Sequence, residues 1–335
     1  NIDLGASDAI GFRLTGFGMT DYHSADAVST GGDINGDGFD DVVFGGPHTF
    51  IDAINPGAAY VVFGKESGFE NLDVTTDLDG TTGFTFTDSE RGALSDLAYI
   101  GAAVSLEGDV NGDGFDDLVV GAPGQNKYRN SAQKYDGEVY VIFGRSSFSG
   151  TPDGVIEATS LDGSTGFRAT GLVNQQALTG SSVGSGGDVN GDGFDDLVIG
   201  APGDGNYETV QTALGRAYVV YGKTNLGSSG TLVLESLSGS DGFVLNGGGT
   251  FDGAGRSVSI NGDINGDGFD DVVVGAPTVS LNDPPPDFFN NGAAYVVFGD
   301  SSVSVPANLD TLDGVNGFAI IGTGGNYAGT TVAVA

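Results

Sequence analysis

The chain has 335 residues and carries 45 Asp and Glu against 11 Lys and Arg, a formal charge of −34 at neutral pH. That sign opposes binding to nucleic acid and to anionic membrane surfaces. With no Cys and two isolated His, His23 and His48, the chain has no disulfide framework and lacks the donors of zinc and copper centres.

In chain order, the first expected element is a short strand at 11–16, containing Phe12. Four units follow, at 24–88, 101–170, 180–246 and 255–322, and then a last strand at 328–335. Each unit opens on a strand that runs into a loop of sequence Asp-x-Asn-Gly-Asp-Gly-Phe-Asp-Asp. The loops begin at Asp33, Asp109, Asp188 and Asp263, at intervals of 76, 79 and 75 residues. Such spacing marks an array of one structural unit, and it overrides the two or three domains that length alone suggests. After each loop comes a second strand, a short β-branched run ended by Gly. Third strands are expected at Ala59–Gly64, Glu138–Gly144, Ala217–Gly222 and Ala294–Gly299, and fourth strands at the Gly-Phe pairs of Phe84, Phe167, Phe243 and Phe318. A linker with a turn at Leu161-Asp162-Gly163 joins third to fourth in the second unit. The expected fold is therefore all-β, a propeller of four-stranded antiparallel blades, with four full blades and partial blade strands at both ends. A Val lies five residues before each loop (Val28, Val104, Val183, Val258), and by that rule Val332 announces a loop Asp at position 337. The expectation is that the chain stops inside a fifth unit and is a segment of a longer one.

Each loop carries the chemistry of a calcium site. Side-chain oxygens stand at positions 1, 3, 5 and 9, Gly at position 6 permits the sharp turn, and the carbonyl of position 7 completes the set. The candidate ligands are Asp33, Asn35, Asp37, Phe39 and Asp41; Asp109, Asn111, Asp113, Phe115 and Asp117; Asp188, Asn190, Asp192, Phe194 and Asp196; and Asp263, Asn265, Asp267, Phe269 and Asp271. Four sites for Ca²⁺ are expected, because this hard cation takes about 6–8 oxygens. The four carboxylates of each loop would repel one another without a cation. An EF-hand does not fit, since its bidentate Glu at position 12 is replaced by Phe44, Val120, Ile199 and Val274. Position 8 is also Asp (Asp40, Asp116, Asp195, Asp270); it either tunes the loop through hydrogen bonds, faces water or ligates directly.

These motifs, with Phe143-Gly144, Gly121-Ala122-Pro123, Gly200-Ala201-Pro202 and Gly275-Ala276-Pro277, give the chain a clear resemblance to the FG-GAP repeat family, the integrin α-subunit type of propeller. Tyr221-Gly222 replaces Phe-Gly once, and the first unit has Gly45-Gly46-Pro47. The resemblance covers almost the whole chain. It implies calcium in the loop between first and second strands, where these loops fall. It also implies a non-catalytic adhesion or protein-interaction module, extracellular or at a cell surface.

Strand order places the loops between second and third strands on the face opposite the calcium loops. These loops, 48–56, 124–136, 203–214 and 278–291, vary in length, and variable loops on a rigid scaffold are where specificity resides. Tyr128, Tyr135, Tyr207 and Phe288 are the candidate ligand-binding residues there, for a protein or a glycan. Two other readings stay open: a lectin-like propeller, and an architectural subunit of a surface layer or fibre that self-associates or continues into further blades. No sequence signal points to catalysis, and no run is apolar enough for membrane insertion.

Overall fold

The computed structural model describes residues 12–16, 27–49, 56–68, 70–89, 98–124, 136–171, 177–203, 215–249, 252–279, 291–301, 308–323 and 325–334. The described residues form strands and short turns of 3-10 helix. In the first sheet, β2 (Ala27–Thr30), β3 (Val42–Gly46), β4 (Ala58–Val62) and β6 (Gly83–Thr87) run as an antiparallel meander. The second sheet repeats it with β7 (Ala103–Ser105), β8 (Leu118–Ala122), β9 (Glu138–Ile142) and β11 (Gly166–Thr170). The third uses β12 (Ser182–Gly187), β13 (Asp196–Ala201), β14 (Arg216–Val220) and β16 (Gly242–Asn246). The fourth uses β17 (Ser257–Ile260), β18 (Val272–Ala276), β19 (Ala293–Val297) and β20 (Gly317–Ile321).

The inner strands β4, β8, β9, β13 and β18 are buried at every residue. Strands with apolar side chains on both faces need cover on both, and stacking sheet on sheet supplies it. Val43, Val61 and Phe84 of the first sheet share one apolar cluster with Val120 and Tyr140 of the second. Val119, Val141 and Phe167 meet Leu197, Ile199 and Tyr218 of the third. Val198 and Val219 meet Val272, Val274 and Tyr295 of the fourth. β20, the last described strand, leaves Phe318, Ile320 and Ile321 exposed.

Two sequence motifs have a packing cause. The first Gly of each Gly-Ala-Pro or Gly-Gly-Pro run sits where the next unit's backbone crosses. A Cβ on Gly45, Gly121, Gly200 or Gly275 would stand 1.9, 2.1, 2.1 or 2.0 Å from the carbonyl oxygen of Gly101, Gly180, Gly255 or Gly329. The aromatic residue of each Phe-Gly or Tyr-Gly pair packs on the Gly-Phe ring of its own sheet. The centroid distances are 6.1 Å for Phe63–Phe84 and 5.9 Å for Phe143–Phe167, Tyr221–Phe243 and Phe298–Phe318. These tilted and edge-on geometries are the favoured ones for aromatic pairs.

The linkers hold more structure than a turn. β10 (Val155–Glu157) joins β6 of the preceding sheet as a parallel fifth strand, and β15 (Thr231–Val233) joins β11 in the same way. β5 (Leu72–Asp73) pairs in parallel with β1 (Leu14–Thr15), and Asn246 and Asn308 form the equivalent single bridge. Each linker thus ties its own unit to the one before. The stretch 328–335, expected as a strand, forms no ladder among its described residues. Ala328 makes one bridge to Gly292, and the Val334 N–H donates to Ser259 Oγ at 3.0 Å.

Candidate metal centres

The four nine-residue loops fold alike. Gly at positions 4 and 6 adopts positive φ in each: 70° and 90° at Gly36 and Gly38, 75° and 91° at Gly112 and Gly114, 73° and 88° at Gly191 and Gly193, 78° and 93° at Gly266 and Gly268. Two left-handed residues in three curl the backbone so that its N–H groups face the position-1 carboxylate. The N–H of Asp37, Asp113, Asp192 and Asp267 donates to that carboxylate at 3.0, 3.0, 3.1 and 3.0 Å. The N–H of Gly38, Gly114, Gly193 and Gly268 donates at 2.7, 2.7, 2.9 and 2.8 Å. Asn at position 3 accepts from the position-5 N–H at 2.8, 2.8, 2.8 and 2.9 Å and donates its amide to the position-5 carboxylate.

The position-9 carboxylate forms the floor. Asp41, Asp117, Asp196 and Asp271 are each 0% exposed. Oδ2 accepts the position-2 N–H of Ile34, Val110, Val189 and Ile264 at 3.0, 3.1, 2.9 and 2.8 Å. Oδ1 accepts the N–H of Gly64, Gly144, Gly222 and Gly299 at 2.7, 2.9, 2.8 and 3.0 Å. This gives the Gly of each Phe-Gly or Tyr-Gly pair its role: it delivers the third strand's backbone to the loop floor. Burial raises all four carboxyls, with the loop's other aspartates adding to the effect and the backbone donors opposing it. Asp41 is pushed up to about 7 and Asp196 to about 8, while Asp117 lies well above the usual range and Asp271 is raised.

A pH dependence follows from that burial. A carboxyl whose folded pKa exceeds its unfolded value binds protons more tightly in the folded chain, so stability falls as pH rises between the two values. Calcium-free protein is therefore expected to melt higher near pH 5 than above about pH 8, the window set by Asp41 and Asp196. Calcium requires the ionised form, so its affinity is expected to rise over the same interval. Thermal scans in chelator and calcium titrations across that range check both signs.

Three further contacts tie each of the first three loops to the next unit. The ring of Phe115, Phe194 and Phe269 covers position 4 of the preceding loop, where a Cβ on Gly36, Gly112 or Gly191 would come within 2.4, 2.3 or 2.4 Å of it. The N–H of Arg145, Lys223 and Asp300 donates to the carbonyl of Ile34, Val110 and Val189 at 2.9, 2.9 and 3.0 Å. The position-8 carboxylates of Asp116, Asp195 and Asp270 accept the position-1 N–H of Asp33, Asp109 and Asp188 at 2.7, 2.8 and 2.9 Å. Sequence reasoning credited position 7 with its carbonyl alone and left position 8 open. The signal was present in the invariance of Phe-Asp in all four copies, but its meaning lies in a neighbour about 80 residues away.

The donor chemistry fits a hard divalent cation: oxygens at positions 1, 3, 5 and 9 of one tight loop, above a buried carboxylate whose hydrogen-bond partners are two backbone N–H groups. Among the described residues, no three His, Cys, Asp or Glu side chains already converge on one point. Tyr128, Tyr135, Tyr207 and Phe288 lie outside the described residues. Tyr99 meets the ring of His48 edge-on, with centroids 5.2 Å apart.

The FG-GAP repeat model matches residues 101–142, 179–220 and 254–297. Each match runs from a first strand through its loop to a third strand. The chain carries three stretches that match the FG-GAP repeat. Integrin alpha-4 of Xenopus laevis is 32% identical over 187 residues, covering 56% of this chain and 15% of the relative. Integrin alpha-3 of Cricetulus griseus is 31% identical over 183 residues, covering 53% and 14%. A phosphatidylinositol-glycan-specific phospholipase D of Bos taurus is 30% identical over 215 residues, covering 61% and 22%. The chain thus spans 14–22% of the length of these relatives. Over about half its length the chain is similar to integrin α chains, and no described helix is long and apolar enough to cross a membrane.

Proposed function

We propose that this chain is a calcium-stabilised propeller segment that binds a protein partner outside the cell and performs no catalysis itself. The observation that carries the reading is the fourfold repetition of one loop geometry, with a fully buried carboxylate at its floor, in repeats similar to those of integrin α chains. Asp33, Asn35, Asp37 and Asp41, with the carbonyl of Phe39, hold one Ca²⁺; the other three loops hold theirs through the equivalent residues. Bound there, the ion would offset two of the loop's negative charges, and the residues that would hold it come from the end of the first strand and the start of the second. The loop floor reaches the third strand through the Gly N–H, so one ion stiffens three strands of a blade.

In this reading the four sheets are blades, the domain units follow the four repeats, and the variable loops opposite the calcium face carry the partner. The relatives' names support adhesion or interaction over chemistry, because two of the three are integrins. The phospholipase name belongs to a protein of which this chain covers 22%. The test is binding of the immobilised chain to a panel of extracellular proteins and to a glycan array, each with calcium and with chelator. Saturable, calcium-dependent binding to a protein is the expected result. Binding confined to glycans would replace the reading with the lectin-like one.

A further inference from the structure

We infer that Asp116, Asp195 and Asp270 are positioning residues for the metal loop of the preceding repeat, so that each repeat sets the calcium affinity of its neighbour. The inference rests on the calcium reading above and adds a direction to it.

The geometry recurs at three junctions. Asp116 accepts the Asp33 N–H at 2.7 Å on Oδ2 and its own unit's Gly108 N–H at 3.2 Å on Oδ1. One carboxylate therefore bridges the backbone just before its own loop to the first residue of the neighbour's loop. Asp195 accepts from Asp109 at 2.8 Å and Asp270 from Asp188 at 2.9 Å. The residue before each of these loops is Gly, because the next unit's backbone passes close by. A Cβ on Gly32, Gly108 or Gly187 would lie 1.8, 2.6 or 2.8 Å from the carbonyl oxygen of Leu106, the backbone N of Gly186 or the backbone N of Asn261, and 3.1, 2.9 or 3.1 Å from the Cβ of Asp116, Asp195 or Asp270. The Asp-to-loop approach and the glycine that permits it thus occur together at each junction.

A hydrogen bond from a charged acceptor to the N–H of a ligating residue fixes where that residue's carboxylate points. Position 1 supplies the carboxylate around which the whole loop is curled. Loosening its backbone costs affinity in that loop, although the loosened bond belongs to another repeat. Asp40 supplies an internal contrast. It has the same position in its own loop, but it is exposed, with no described loop before it.

The chain lacks Trp, so Phe39→Trp provides a single reporter for the first loop. Phe39 is 40% exposed, which leaves room for the larger ring. In that background, Asp116→Ala is expected to weaken calcium binding at the first loop by about tenfold. Asp40→Ala, which removes the same charge from the first loop itself, is expected to leave the midpoint within about twofold. In chelator, amide exchange at Asp33 is expected to speed up in Asp116→Ala and not in Asp40→Ala, a readout that needs neither metal nor reporter. Equal shifts from the two substitutions, or an unmoved first loop in Asp116→Ala while the parent responds to calcium, would overturn the inference alone. A parent chain that responds to calcium at no loop would overturn the calcium reading and this inference together.

Discussion

Chelation is expected to lower the stability of this chain more than any single surface substitution. A ligand that binds only the folded state stabilises it by about 2.7 kcal/mol per site at about 100 times its Kd, so four independent sites amount to roughly 10 kcal/mol. That figure is comparable with the whole stability of an ordinary domain, about 5–15 kcal/mol. The local cause is visible in each loop. Without the ion, a buried carboxylate and its neighbouring aspartates are held together only by backbone N–H groups and the position-3 Asn amide. Urea denaturation in calcium and in excess chelator measures the difference. Superimposable curves would contradict it.

The second large effect separates metal binding from folding. Asp113 is exposed and holds the Phe115 N–H at 3.1 Å and the Asn111 side-chain amide at 3.0 Å, donors at the loop rim that water can satisfy when the side chain is lost. Asp117 is 0% exposed and holds the N–H groups of Val110 and Gly144. Removing a buried acceptor strands its donors, at about 1–3 kcal/mol each. Asp113→Ala is therefore expected to cost the second loop its calcium while leaving calcium-free stability within about 0.5 kcal/mol. Asp117→Ala is expected to lose the ion and also to destabilise the calcium-free chain by roughly 2–5 kcal/mol. Equal calcium-free stabilities for the two variants would refute the role of position 9 as the structural floor.

The elements that sequence could place are those whose signal is local. Each calcium-type loop is nine contiguous residues, and each inner strand is a β-branched run ended by Gly. β11 falls at Gly166–Thr170, the span expected from the Gly-Phe pair. β7 covers only Ala103–Ser105, because the residues that run into the loop leave the ladder. What escaped was contact between repeats. β10 and β15 are three residues long, too short to show alternation, and they exist only because a preceding sheet offers an edge. The rings at position 7 and the carboxylates at position 8 look like loop decoration until the neighbouring repeat is set beside them. The Gly of Gly-Ala-Pro reads as a turn former, yet its cause is a carbonyl of the next unit 2.1 Å from where a Cβ would sit on Gly121. In an array, the information within a repeat is written along the chain, whereas the information between repeats is written across it.

Native mass spectrometry, with calcium and after chelation, tests the central claim most directly. The account predicts four calcium ions on the chain, none after chelation, and three on Asp113→Ala. A chain that carries no calcium, or an Asp113→Ala variant that still carries four, would contradict it.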